Sequence, residues 1–104
     1  MELTVYWTQI AEDKLNDIFE YYKFNAGIRV AQKLINGIID TSLELDKNAY
    51  GGQKEVLLED RIQGFRYAIF KSYKIVYWID EENKIIFVAN VFDSRQNPEK
   101  INNL

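Results

Sequence analysis

The stretch that decides the fold is Phe65-Arg66-Tyr67-Ala68-Ile69-Phe70, Tyr73-Lys74-Ile75-Val76-Tyr77-Trp78-Ile79 and Ile85-Ile86-Phe87-Val88-Ala89, closing on Val91-Phe92-Asp93-Ser94-Arg95-Gln96-Asn97-Pro98. Each run is rich in β-branched and aromatic side chains and is cut off by a short polar segment, which is the pattern of an antiparallel meander. Lys71-Ser72 is the predicted tip of the first hairpin and Asp80-Glu81-Glu82-Asn83 of the second. Symmetric pairing about those tips sets Arg66, Tyr77 and Ile86 in one cross-strand row. It sends Lys74 to the opposite face with Ile69 and Ala89. Both faces are largely apolar, so both need cover, and the helices upstream supply it for one. The other face is then an aromatic surface open to a partner.

Upstream, Leu3-Thr4-Val5-Tyr6-Trp7 reads as a short strand and Thr8 as a helix N-cap. Ala11, Leu15, Ile18 and Tyr22 recur at helical spacing. Asn25-Ala26-Gly27 ends that helix, with Gly27 in a left-handed cap. A second helix is expected over 28–45, with Val30, Leu34, Ile38, Thr41 and Leu45 as its buried stripe, widened by Ala31 and Ile35. Gly37 costs about 1 kcal/mol relative to alanine inside a helix; its expected use is close approach of the two helices, an αα-hairpin. Arg29 and Lys33 occupy the wet face, at the wrong end of the helix for its dipole. Glu55-Val56-Leu57-Leu58-Glu59 reads as one more short strand, after a polar, glycine-bearing loop at 46–52.

A chain of 104 residues, 47% hydrophobic and without cysteine, fits a single domain over residues 1–104 whose core needs no disulfide. It opens without a signal pattern and has no apolar run of membrane-spanning length, so the expected location is the cytoplasm. The net charge of −3 is uneven: residues 1–60 hold eleven acids and six bases, residues 61–104 five acids and seven bases. Arg61, Arg66, Lys71 and Lys74 follow one another with no acid between, either a solvated edge that discourages aggregation or a patch for an anionic partner. The absence of histidine and cysteine removes the usual neutral-pH base, thiolate chemistry and soft metal sites. Asp80-Glu81-Glu82 reads as a turn and not as a cation site, so no metal or cofactor is expected. Arg66 has two readings, a pair with Glu55 or Glu59, or a recognition role. Arg95 likewise either pairs with Asp93 or contacts a partner.

The ordered set formed by Val5-Tyr6-Trp7-Thr8, a helical hairpin, Phe65-Arg66-Tyr67, Tyr73-Lys74-Ile75-Val76-Tyr77 and Val91-Phe92-Asp93-Ser94-Arg95-Gln96-Asn97-Pro98 resembles the RelE/ParE superfamily, the toxin halves of type II toxin–antitoxin modules. The resemblance implies an α+β fold: an N-terminal strand and a two-helix hairpin packed on a small antiparallel sheet. It implies a bacterial, cytoplasmic toxin of the kind linked to plasmid stabilisation, neutralised by a cognate antitoxin. Tyr73, Tyr77 and Phe92 are the expected antitoxin contacts. The Arg95-Gln96-Asn97-Pro98 ending looks like the ParE branch, whose characterised members inhibit DNA gyrase without being enzymes. Arg61, Arg66, Lys71, Lys74 and Arg95 are then the expected target contacts. The alternative is a RelE-like, ribosome-dependent messenger endoribonuclease with Arg66, Lys74 and Arg95 around the scissile phosphate; the terminal Tyr or His of that branch has no counterpart here. A third reading is an attenuated toxin that only binds its antitoxin.

Overall fold

A computed structural model describes residues 2–51, 53–54 and 64–95. Strand β1 (Thr4–Trp7) leads into helices α1 (Gln9–Ala26) and α2 (Ile28–Leu43). Two 3₁₀ turns, Glu44–Lys47 and Ala49–Gly51, and a short β2 (Gln53–Lys54) follow. The meander is β3 (Arg66–Phe70), β4 (Tyr73–Asp80) and β5 (Ile85–Asp93). The sheet order is β1-β5-β4-β3-β2. All neighbours are antiparallel except β1, which joins β5 in parallel. This is the expected α+β arrangement, with a parallel edge that the sequence reading did not specify. The expected strand at Glu55–Glu59 lies outside the described residues.

Thr8 is the joint between sheet and helix. Its backbone N–H and its hydroxyl both donate to the Val88 carbonyl, at 3.1 and 2.8 Å, while its side chain accepts from the Ala11 N–H at 3.3 Å. The cap thus satisfies one orphan helical donor and fixes where α1 leaves the sheet. Gly27 ends α1 at φ 98, ψ 160, not the left-handed cap expected but an extended region of positive φ open essentially to glycine alone. It begins α2 directly, so the hairpin link is one residue long.

The buried face of α2 consists of Ala31, Leu34, Ile35, Ile38 and Ser42, with Leu45 continuing it in the 3₁₀ turn. Val30, expected in that stripe, is 49% exposed, and the α-helix stops at Leu43 instead of Leu45. Ser42 is polar and was passed over, yet it is fully buried because it accepts from Trp7 Nε1 at 3.1 Å and donates to the Ile39 carbonyl at 2.7 Å. Gly37 makes room first for the sheet: a Cβ there would lie 2.1 Å from the Phe70 ring, nearer than any atom of α1. Ala11, Leu34, Ile38, Tyr73, Ile75, Val88 and Val91 form the core between helices and sheet. Each large apolar side chain buried there contributes about 1.5–3 kcal/mol.

The first hairpin has the expected tip and register, with Phe70 opposite Tyr73 and Arg66 opposite Tyr77. The second tip sits one residue later than expected, at 81–84, and Ile86 pairs with Ile79 instead of Tyr77. Val76 faces Asn90 while Tyr77 faces Val88, which leaves Ala89 as the extra residue of a β-bulge. That bulge shifts the register for the last turn of the sheet and is invisible to symmetric pairing.

Candidate functional site

Directly paired residues point to the same side of a sheet, so the pairing assigns every strand position to a face. Tyr73, Ile75 and Tyr77 face the helices, and Lys74, Val76 and Trp78 face away. On the outer face, Tyr6, Phe87 and Trp78 are in register across β1, β5 and β4. Trp78 and Phe87 stack at 4.7 Å, and Tyr6 meets Phe87 edge-on at 5.6 Å. Beside this row, Lys74 Nζ sits 4.2 Å above the Tyr67 ring and 5.9 Å from that of Phe92, held by the ring quadrupoles.

This face is not a bare sheet. Phe65, Val76 and Ala89 form a small buried cluster at its middle, with Tyr67, Trp78 and Phe92 packed round it. The rim is open: Tyr6 is 55% and Ile69 53% exposed. The surface is ring-rich as expected but, among the described residues, only weakly cationic, with Lys74 as its base and Asp80 on the same side of β4. Tyr6 and Phe87 were missed as members of this surface. Their alignment depends on the parallel pairing of β1 with β5, which no local signal announces.

The other expected target contacts are dispersed. Arg66 lies on the helix side, where its Nη1 donates to the Tyr50 carbonyl at 3.2 Å and its guanidinium stands 5.8 Å from the Tyr50 ring. Tyr50 in turn donates its hydroxyl to Glu81 at 2.8 Å, and that bond pushes the phenol above its usual range. Arg95 takes the reading of an internal pair: its Nε donates to Asp93 Oδ1 at 3.0 Å and its Nη2 to Oδ2 at 2.6 Å. Lys71 is at the exposed hairpin tip, with φ 54. Arg61 lies outside the described residues, as do Gln96, Asn97 and Pro98. The trio Arg66, Lys74 and Arg95 therefore does not converge. Lys74 leaves the opposite face from Arg66. Arg66 is level with Tyr77 and Asp93 with Tyr73, four positions apart along β4 or about 13 Å.

Of the expected antitoxin contacts, Phe92 is half-buried on the outer face. Tyr77 has no exposed surface and donates to the Ala49 carbonyl at 2.6 Å, so it belongs to the core and presents nothing to a partner. Tyr73 is buried too, its hydroxyl donating to that of Tyr22 at 3.4 Å. It borders a cleft of about 380 Å³ between α1 and the end of β5, with Lys14, Asp17, Tyr22, Asp93 and Arg95 around it. Burial and the Tyr22 hydroxyl raise the Tyr73 phenol well above its ordinary pKa. The hydrogen bond from Arg95 holds the Asp93 carboxyl below the usual range, and the same pair raises the guanidinium. Neither Tyr73 nor Asp93 is poised to exchange a proton near neutrality. Among the described residues, no group of three or more acids could hold a metal, and no helix is long and apolar enough to cross a membrane.

Over residues 5–98 the chain matches the family described as the ParE toxin of the type II toxin–antitoxin system, parDE. It is similar in structure to a chain of the chromosomal ParDE toxin–antitoxin system from P. aeruginosa, with a TM-score of 0.73, 18% identity, and coverage of 88% of this chain and 96% of that one. It is also similar to a chain of the toxin–antitoxin complex RelBE2 from Mycobacterium tuberculosis, with a TM-score of 0.67, 16% identity, and coverage of 89% and 99%. No curated protein sequence matches. The two structural likenesses, at these identities, speak to the fold alone.

Proposed function

Since the chain belongs to the ParE toxin family of type II toxin–antitoxin systems, we propose that it poisons its host by binding DNA gyrase and not by cutting RNA. The observation that carries this reading is the division of its cations between two faces. A scissile phosphate needs positive groups converging within hydrogen-bond reach. Arg66, Lys74 and Arg95 leave different faces and different levels of the sheet, and each of them is engaged within the chain. Among the described residues, the outer face instead offers Tyr6, Phe87, Trp78 and Lys74, an aromatic surface that carries a cation. Such side chains dominate protein–protein affinity, at about 2 kcal/mol or more for a central aromatic.

The site of action is the bacterial cytoplasm, and the neutralising partner is a cognate antitoxin that covers the toxin. Phe92 on the outer face is one contact within its reach.

Supercoiling by purified gyrase tests the reading. The chain is expected to inhibit it, and Tyr6→Ser with Lys74→Glu is expected to weaken inhibition by about tenfold, the equivalent of 1.4 kcal/mol. New RNA ends within codons on ribosomes, with supercoiling untouched, would reverse the proposal in favour of the endoribonuclease. Neither effect, with antitoxin binding intact, would leave an attenuated toxin.

A further inference from the structure

The helix side of the molecule gathers positive charge. Arg29 and Lys33 project from α2 toward the β3–β4 hairpin, and together with Lys71 they line one groove whose floor is Gly37 and the Phe70 ring. Asp40 is the acid of that groove, so its lining carries three bases against one acid in a chain whose net charge is −3. Among the described residues none of the three bases is held in an ion pair. The first turn of α2 has no acid either, so its dipole adds to the positive potential instead of offsetting it.

Lys33 and Lys71 also line the adjoining cleft, whose other walls are Tyr22, Val30, Leu34 and Tyr73, largely apolar, with Ser72 at the hairpin tip. The two lysines thus straddle a continuous depression, cationic on one side and apolar on the other. Val30, in its wall, is 49% exposed.

We propose that this depression is a binding site for a polypeptide segment that alternates carboxylates with apolar side chains. Its acids would lie on Arg29, Lys33 and Lys71, and an apolar side chain would enter between Tyr22, Val30 and Leu34. Charge complementarity selects the occupant: like charges crowded round one groove are relieved by a carboxylate set between them. The apolar half distinguishes a peptide from a nucleic acid, whose uniform phosphate spacing calls for a longer cationic track in a more basic chain. The inference goes beyond gyrase binding, since it concerns the opposite side of the molecule and holds whichever target the toxin poisons.

The test titrates the full chain with three probes: a peptide that alternates leucine and glutamate, its glutamine counterpart, and a single-stranded oligonucleotide. Amide NMR shifts locate each probe, and fluorescence polarisation gives its affinity. The glutamate peptide is expected to bind about tenfold more tightly than the glutamine peptide. Its shifts should fall on residues 29–37 and 70–73. Lys33→Glu with Lys71→Glu should abolish that preference, and Lys33→Arg with Lys71→Arg should retain it. Equal affinity for the two peptides, shifts confined to other surfaces, or tighter binding of the oligonucleotide at this groove would overturn the proposal. The peptide comparison uses the unaltered chain, so it stands even if a charge-reversed variant folds poorly.

Discussion

Replacing Gly37 by alanine sets two effects of known sign against each other. Alanine is favoured over glycine inside a helix by about 1 kcal/mol. Its methyl group would stand 2.1 Å from Phe70 Cζ, with Cε2 and Cε1 at 2.5 and 2.7 Å. Carbon atoms rest about 3.5–4.0 Å apart, so the ring must move by roughly 1.5 Å. Forcing extra volume into a packed contact costs about 1–3 kcal/mol. With a cost near the middle of that range, Gly37→Ala lowers stability by about 1 kcal/mol net. In a Phe70→Ala background the obstacle is gone, and the same substitution is expected to raise stability by about 1 kcal/mol. The coupling between the two sites is therefore about 2 kcal/mol, large enough to resolve in a double-mutant cycle. Urea titration with a slope of about 1 kcal/mol/M would show the midpoint moving roughly 1 M down in the parent and 1 M up in the Phe70→Ala variant. A shift of the same sign and size in both backgrounds would refute the packing of Phe70 on Gly37, and with it the floor of the cationic groove.

Other substitutions probe other joints. Ser42→Ala leaves the indole N–H of Trp7 without its acceptor and is expected to cost about 1–2 kcal/mol, falling toward zero in a Trp7→Phe background. Ile38→Ala opens a cavity at a fully buried position and is expected to cost about 2–5 kcal/mol, whereas Val30→Ala stays within about 0.5 kcal/mol; comparable losses would mean that α2 presents a different face to the sheet. The folded-state pKa of Asp93 lies below its unfolded value, so its contribution to stability is present above about pH 4 and is lost as pH falls through the lowered pKa. Asp80, lowered by Asn83, acts in the same direction. Asp93→Asn should therefore reduce the urea midpoint at neutral pH and narrow its gap to the parent in acid; a gap that widens below pH 4 would contradict the pairing with Arg95.

Local chemistry was legible in the sequence and long-range geometry was not. Thr8 shows as a cap because capping is decided within one helical turn. Lys71-Ser72 and the Arg66–Tyr77 row follow from a two-residue loop that admits only one register. The second hairpin defeated the same reasoning, because its four-residue loop sits one residue later than the symmetric reading places it and the bulge at Ala89 shifts the pairing again beyond Val88. The apolar pattern of α2 could not separate Val30 from Ser42: hydropathy alone puts the valine inside. What decides is the indole of Trp7, 35 positions earlier, which gives the serine hydroxyl a partner. The outer surface was half visible. Lys74 and its face could be assigned from alternation, but the row from Tyr6 through Phe87 to Trp78 needs the parallel edge strand. The cations clustered in sequence were dispersed by the same alternation that sends neighbouring residues to opposite faces.

The measurement that bears most directly on the outer sheet face as the target-binding surface is side-chain footprinting of the toxin by hydroxyl radicals, alone and in complex with gyrase. Tyr6, Trp78 and Phe87 are expected to lose reactivity in the complex, while Phe24, 90% exposed on α1, keeps its own. Protection of Phe24 with the three sheet rings unchanged, or no complex at all, would contradict the account.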